Sequence, residues 1–263
     1  MTPHPLIAGN WKMNGLRVSL AEIAKLGVLY DPSLQEKADL LICPPATLLA
    51  VAEEIAAKGK IALGGQNCHF LDFGPHTGDL SARMLKDAGA SYVIVGHSER
   101  RQSYQETDAI VQAKAEAALH AGLTPIICVG ETGAQRRAGV ALAVVEEQIK
   151  ASLPAQKSSM IVVAYEPVWA IGTGLTPTSK EIAEVHAFTR ETLKRLFGSA
   201  FGEQIRLLYG GSVSPANAKE ILKLKMWMAR LWAALRLERR ILSILLGPMF
   251  DFSLACSAMA SPL

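Results

Sequence analysis

The sequence predicts an α/β fold built on a parallel sheet, and three observations carry that reading. Seven short apolar runs recur along the chain: Leu6 to Ala8, Leu40 to Cys43, Ile61 to Leu63, Tyr92 to Val95, Thr124 to Val129, Met160 to Ala164 and Ile205 to Tyr209. Each is apolar at successive positions instead of alternating, the pattern of a strand covered on both faces. The stretches between them carry helical spacing, so strand and helix alternate along the chain. The length, 263 residues, suits a single α/β unit of about 250 residues.

Half of the residues are apolar and 19% are charged, enough to fill a large core and too little charge for a disordered chain. Taken in order, the helical segments show their ends. Gly122 closes a helix just before the run at Thr124, as a glycine past a C-terminus does. Thr178 and Glu181 form a capping box at the head of a helix over Glu181 to Leu196, whose apolar positions Ile182, Val185, Phe188 and Leu193 share one stripe. Pattern alone leaves two architectures open, a doubly wound open sheet and a barrel one strand short.

Composition excludes several classes of function. Cys43, Cys68, Cys128 and Cys256 show neither C-x-x-C nor Cys/His spacing, so a metal centre and a disulfide framework are both poor readings, and reduced thiols in a cytoplasmic protein are expected. Met1 to Pro5 has no basic segment followed by an apolar one, so no export signal is expected. The net charge of +3 resides in 224–263, and the remainder is neutral with 22 basic and 22 acidic residues. Nothing in it has the footprint of a nucleic-acid partner.

The strand ends carry the chemistry-bearing residues. Met160 to Ala164 runs into Tyr165-Glu166-Pro167 and then Val168-Trp169-Ala170-Ile171-Gly172-Thr173-Gly174. Stiff and bulky residues alternate there with glycines that free the backbone, the composition of a lid behind a carboxylate. The first strand ends in Asn10-Trp11-Lys12, where position alone reads Lys12 as a solvated surface charge. His97-Ser98-Glu99-Arg100 follows the fourth run; a histidine there is more often a satisfied structural residue, but it shares the layer of Glu166 and so is a candidate acid or electrophile. Gly210-Gly211-Ser212 ends the seventh run, and glycines permit close approach of backbone to an anion. In Gln66 to Asp79, His69 and His76 raise the question of a metal, for which no acidic or cysteine partner stands at ligand spacing.

Taken together, Ala-Gly-Asn-Trp-Lys-Met-Asn (8–14), Gly-Gly-Gln-Asn (64–67), Val-Gly-His-Ser-Glu-Arg-Arg (95–101), Cys-Val-Gly-Glu (128–131), Glu-Pro-Val-Trp-Ala-Ile-Gly-Thr-Gly (166–174) and Tyr-Gly-Gly-Ser-Val (209–213) resemble the triosephosphate isomerase family, in the family's order, from Ile7 to about Leu222. The resemblance selects the (β/α)8 barrel. It implies isomerisation of triose phosphates without metal or organic cofactor, with Glu166 as the base, His97 as the neutral imidazole that polarises the carbonyl, and Lys12 as the cation facing the substrate oxygen. It also implies that Asn10 supports Lys12, that Glu99 is a partner of Lys12, and that Gly172 and Ser212 hold the phosphate. Arg100 is expected in a structural ion-pair network and Cys128 as a packed thiol. In the family the Gln66 to Asp79 loop reaches into a second subunit, with Thr77-Gly78 at its tip, so a homodimer is implied; Asp79 stands where the family more often has Glu.

The resemblance stops near Lys223. The eighth strand, its Gly-Gly turn and the last helix are expected next, whereas the chain reads Lys-Met-Trp-Met-Ala-Arg-Leu-Trp-Ala-Ala-Leu (225–235), and its last 40 residues hold half of all tryptophans and methionines. One reading is a basic amphipathic helix for a membrane surface, since the arginines break the run too often for a span. The genetic code offers another. Met226-Trp227-Met228-Ala229 must be ATG-TGG-ATG-GCN, and a two-base shift turns this into GTG-GAT-GGC, Val-Asp-Gly; Trp232-Ala233 likewise yields a glycine codon. The shifted frame accommodates the missing strand and glycine turn, so we expect a barrel domain over 1–223 and a frameshifted tail over 224–263, with the eighth strand and last helix replaced. The rivals are a different phosphate-binding barrel, such as a sugar-phosphate epimerase, and a barrel whose catalysis the tail has impaired.

Overall fold

A computed structural model describes residues 4–156, 158, 160–171, 175–211 and the backbone of 232–233. Gly172, Ser212, Cys256 and the tail apart from Trp232–Ala233 lie outside the described residues. The chain opens with β1 (Leu6–Asn10), α1 (Leu20–Leu29), a turn of helix α2 (Pro32–Gln35), β2 (Asp39–Cys43), α3 (Ala46–Lys58), β3 (Ala62–Gly65) and α4 (Ala82–Asp87). Next come β4 (Tyr92–Val95), α5 (Ser98–Ser103), α6 (Asp108–His120), β5 (Thr124–Val129), α7 (Gly133–Arg137) and α8 (Ala141–Ser152). β6 (Val162–Tyr165), α9 (Ser179–Phe197), α10 (Ser199–Gln204), β7 (Arg206–Tyr209) and β8 (Trp232–Ala233) follow, and single 3-10 turns occur at Arg17–Ser19 and Val168–Ala170. All seven apolar runs are strands, with ends shifted by up to two residues.

The strands pair in parallel in the order β7-β6-β5-β4-β3-β2-β1-β8 and form a nearly closed α/β barrel. β1 pairs with β2 along its whole length and with β8 only through Ala8 with Trp232 and Gly9 with Ala233. Two residues of the divergent tail thus stand in the eighth position, and among the described residues β8 and β7 share no pairing.

The unbroken apolar runs follow from burial on both faces. Leu6, Ala8, Leu41, Cys43, Ile94, Ile126, Cys128, Val162, Ala164 and Leu208 fill the barrel interior. The residues between them, among them Ile7, Ile42, Val93, Val95, Ile127, Val163 and Leu207, pack outward against the helices. Asn10 and Glu166 continue the inward parity of Leu6–Ala8 and Val162–Ala164, so both emerge at the C-terminal mouth.

Local chemistry sets the helix ends. Asp31, Ser81, Thr107, Thr132 and Thr178 each accept the backbone N–H three residues on, satisfying a donor the helix leaves open. Glu181 completes the capping box of α9 by accepting from Thr178 N at 2.8 Å. Gly122, at φ 74°, ends α6: its N–H bonds Leu119 O and that of Leu123 bonds Ala118 O, the paired pattern of a glycine-terminated helix.

The buried face of α9 is wider than the expected stripe. Ile182, Val185 and Leu193 are buried, while Phe188 is half-buried under the Arg195 guanidinium, and His186, Thr189, Arg190 and Thr192 are buried with the core. The His186 ring meets Tyr165 edge-on with centroids 6.0 Å apart. Burial, and then the Arg190 charge, push His186 down to about 3 from 6.5. Between those values the unfolded chain binds more protons than the folded one. This contribution to stability is therefore complete above the unfolded value and is lost as pH falls toward the folded one, with a slope of at most about 1.4 kcal/mol per pH unit. Replacing His186→Gln should flatten the fall of melting temperature between about pH 7 and about pH 4.5, even though the variant starts lower; equal slopes for parent and variant would show that His186 titrates normally.

Candidate active site

Three strand ends, those of β1, β4 and β6, bring the described sequence-predicted residues together. Lys12 lies just past β1 in a left-handed conformation, φ 52°, which costs a side-chain-bearing residue energy and needs support. Support comes from two side chains: Asn10 Oδ1 accepts the Lys12 N–H at 2.9 Å, and Gln66 Nε2 donates to Lys12 O and to Cys43 O, both at 2.9 Å. The Lys12 ammonium meets Glu99 Oε1 at 2.5 Å.

His97 caps α5. Its Nδ1 accepts the Glu99 N–H at 3.2 Å; a backbone N–H can only donate, so Nδ1 is bare and the ring is a neutral imidazole with its proton on Nε2. That nitrogen stands 3.2 Å from Glu166 Oε1. Among the described residues no hydrogen bond to Oε1 is resolved, although the imidazole and the buried Cys128 thiol both stand beside the carboxylate. Oε2 accepts the Ser98 N–H at 2.9 Å. Glu166 is 1% exposed, tethered through Oε2 and facing the imidazole with Oε1.

The backbone behind Glu166 is as constrained as its side chain. Its N–H bonds Val129 O at 2.7 Å, and a Cβ on Gly130 would fall 1.7 Å from Glu166 O. Only glycine allows β5 and β6 to approach so closely. Gln148 clasps the same turn, accepting from Gly130 N at 2.7 Å and donating to Gly130 O at 3.2 Å. Glu131, fully buried, gathers the start of the lid: its Oε1 accepts from Trp169 Nε1 at 2.8 Å and Tyr165 OH at 3.2 Å, with Arg136 at 3.8 Å.

Asn10, Lys12, His97 and Glu99 line one cleft of about 470 Å³, with Gln66, Asn67 and Tyr104; Glu166 is not in its lining and adjoins it through His97. A larger groove of about 1020 Å³ between Phe70–Phe73, α6 and Met160 shares no residue with this set. Cys128 is a buried thiol whose value is pushed well up, by burial first and then by the Glu166 carboxylate; a thiol held protonated is no nucleophile. Arg100 joins a buried ion-pair network, with Glu106 bridging it to Lys114, each contact at 2.5 Å, and Lys114 reaching Asn67 Oδ1 at 2.8 Å.

One sequence expectation needs correction: His69 and His76 do have an acidic neighbour, Asp79, three residues after His76, with one ligand atom from each of the three within 4.8 Å of the others. The loop folds back so that the two rings stack at 4.0 Å. His69 Nδ1 accepts the Leu71 N–H at 3.0 Å, which leaves its proton on Nε2, the atom facing Asp79 Oδ2 at 3.9 Å. His69 therefore turns an N–H, not a lone pair, toward the group.

Ser98, Gly130, Glu131, Gln66 and Gln148 were not assigned roles from the sequence. Ser98 and Gly130 act through backbone atoms and leave no side-chain signal. Glu131 had one: like Glu166, it directly follows an apolar strand and one linking residue.

A parallel α/β barrel carrying a buried carboxylate, a neutral imidazole and a lysine at the C-terminal ends of its strands defines a barrel site of the acid–base type. The family model of triosephosphate isomerase matches residues 5–227. A triosephosphate isomerase of Afipia carboxidovorans is 59% identical over 221 residues, 84% of this chain and 87% of that protein, and one of Xanthobacter autotrophicus is 56% identical over 218 residues, 82% and 85%. The crystal structure of triosephosphate isomerase from Bartonella henselae superposes with a TM-score of 0.80 at 50% identity, covering 88% of this chain and 92% of that one. The chain belongs to the triosephosphate isomerase family.

Gly130→Ala should displace the Glu166 backbone and lower kcat by about a hundredfold, the cost of misplacing a catalytic group by about 1 Å. Steady-state kinetics of the purified variant check this, and a kcat within twofold of the parent's would show that the contact is not limiting.

Proposed function

We propose that this protein interconverts dihydroxyacetone phosphate and D-glyceraldehyde 3-phosphate through an enediolate, with no metal or organic cofactor in the reaction. The single observation that carries the reading is the fixed tautomer of His97, whose Nε2–H stands 3.2 Å from Glu166 Oε1. Glu166 takes a proton from one carbon and returns it to the next. The His97 Nε2–H polarises the carbonyl and moves protons between the oxygens. The Lys12 ammonium stabilises the negative oxygen as it develops, with its backbone fixed by Asn10 and Gln66 and its charge oriented by Glu99. Gly172 and Ser212 are assigned to the phosphate by resemblance. The geometry and the identities to relatives favour this reading over an epimerase or an inert barrel.

Glu166→Asp keeps the charge but withdraws it by one methylene, so kcat should fall about a hundredfold with the fold intact. A coupled isomerase assay beside thermal unfolding tests this; unchanged turnover would remove Glu166 from the role of base.

A homodimer through the Gln66 to Asp79 loop fits the large apolar side chains left in solvent, Met13 at 96%, Phe73 at 80% and Tyr104 at 67% exposed. Cytoplasmic placement fits Cys43, Cys68 and Cys128, all free and buried. Among the described residues no helix is long and apolar enough to cross a membrane.

The tail is read as a frameshifted segment, 224–263, behind a barrel domain of 1–223; the family match ends at 227. Glycine N–H donors of the phosphate site are then missing from the sequence. A chain restored by correcting the frame before the Lys225 codon should melt higher and show a higher kcat/KM than the chain as it stands. Equal melting temperatures and equal kcat/KM would establish the tail as a functional ending.

A further inference from the structure

The Arg101 side chain, on α5, makes four polar contacts: with the turn after β4, with β5, with α6 and with α8. Its Nε donates to Gly96 O at 2.8 Å, and its Nη2 to Cys128 O at 3.1 Å and to Ser152 Oγ at 3.0 Å. Nη1 pairs with Asp108 Oδ1 at 2.5 Å, and Ser152 Oγ donates to the same carboxylate oxygen at 2.8 Å. A planar guanidinium has donors enough, in a fixed fork, to hold two carbonyls, a hydroxyl and a carboxylate at once.

The two carbonyls are not arbitrary. Gly96 O precedes His97 directly, on a residue at φ 66° where a Cβ would meet Val111 at 2.7 Å and Arg101 Nη2 at 3.1 Å. Cys128 O is one residue before Val129, whose own carbonyl holds the Glu166 N–H at 2.7 Å. One cation thus joins the strand end that carries His97 to the strand that carries the support of Glu166. Asp108 at the start of α6 and the fully buried Ser152 at the end of α8 fix it from outside the barrel.

We propose that Arg101 is a positioning residue for the acid–base pair: it sets the distance and angle between the His97 ring and the Glu166 carboxylate by tying the C-terminal ends of β4 and β5 to one rigid fork. The proposal deepens the isomerase reading and rests on it for the kinetic part of its test. Lysine keeps the charge beside Asp108 but offers a compact ammonium that cannot serve Gly96 O and Cys128 O in the same geometry.

The experiment uses the full chain, with Arg101→Lys and Arg101→Met beside the parent. Kinetics give kcat and KM separately, nitrogen-15 NMR of the histidine rings reports the His97 tautomer, and thermal unfolding reports the fold. We expect kcat to fall by about tenfold to a hundredfold with KM within about twofold, and the His97 nitrogen pair to move from one fixed Nε2–H tautomer toward exchange between two. Arg101→Lys decides if Arg101→Met fails to fold. A variant that loses only melting temperature, with kcat and the His97 signals unchanged, overturns the proposal and leaves Arg101 a purely structural ion-pair partner. If the parent itself does not isomerise triose phosphates, the isomerase reading fails, and the His97 signals alone decide whether Arg101 positions the ring.

Discussion

An ionised carboxylate out of water loses hydration worth several kcal/mol, and donors have to replace it. Glu166 and Glu131 sit on neighbouring strand ends with nearly no exposure, and the protein treats them differently. Glu131 collects Tyr165, Trp169 and the nearby Arg136 and is an anchor for the lid. Glu166 receives one backbone N–H, from Ser98, and its other oxygen faces an imidazole. A carboxylate so little satisfied is held in place by geometry, and the surrounding structure is what makes that arrangement stable.

That geometry comes from the barrel. Because side chains alternate in and out of the sheet, a parallel strand that ends in an inward position delivers its next inward residue to the mouth. Asn10 and Glu166 arrive this way. His97 arrives differently: Gly96 turns the chain in the left-handed region, and α5 begins at once, so the ring caps its own helix and its tautomer is fixed by the turn. Lys12 also needs a turn, but without glycine, and Asn10 and Gln66 hold its unfavourable backbone in place.

The parts legible in the sequence are those where one physical cause dominates. Burial on both faces wrote the seven strands as unbroken apolar runs, and the caps Thr178 and Gly122 marked helix ends. Residues with several simultaneous contacts were not legible. The stripe on α9 was drawn from apolar residues alone, yet His186, Thr189, Arg190 and Thr192 are buried with it because β6, β7 and α10 surround that face. Asp79 joined the two histidines only through the fold of its loop. Gly130 looks like any turn glycine until β6 is placed against it. The roles of the site residues followed from resemblance to a family; the residues themselves gave a carboxylate behind a lid at Glu166 and a candidate acid or electrophile at His97, but left Lys12 a surface charge.

The supports of Lys12, His97 and Glu166 come from β2, β3, α5 and β5, and this bears on the divergent tail. β1 is paired over five residues with β2 but over two with β8, so its register is set from the β2 side. Past its end, Trp11 N–H bonds Cys43 O at 3.0 Å, and Gln66 ties Lys12 O to Cys43 O from the end of β3. His97 is fixed within α5, and Glu166 by Ser98 N and Val129 O. Every named anchor of Lys12, His97 and Glu166 thus precedes Gly211, and none depends on the eighth strand. The contacts that hold Lys12, His97 and Glu166 therefore lie within the first seven strands and their connections, and among the described residues the tail meets this frame where Trp232 and Ala233 pair with Ala8 and Gly9.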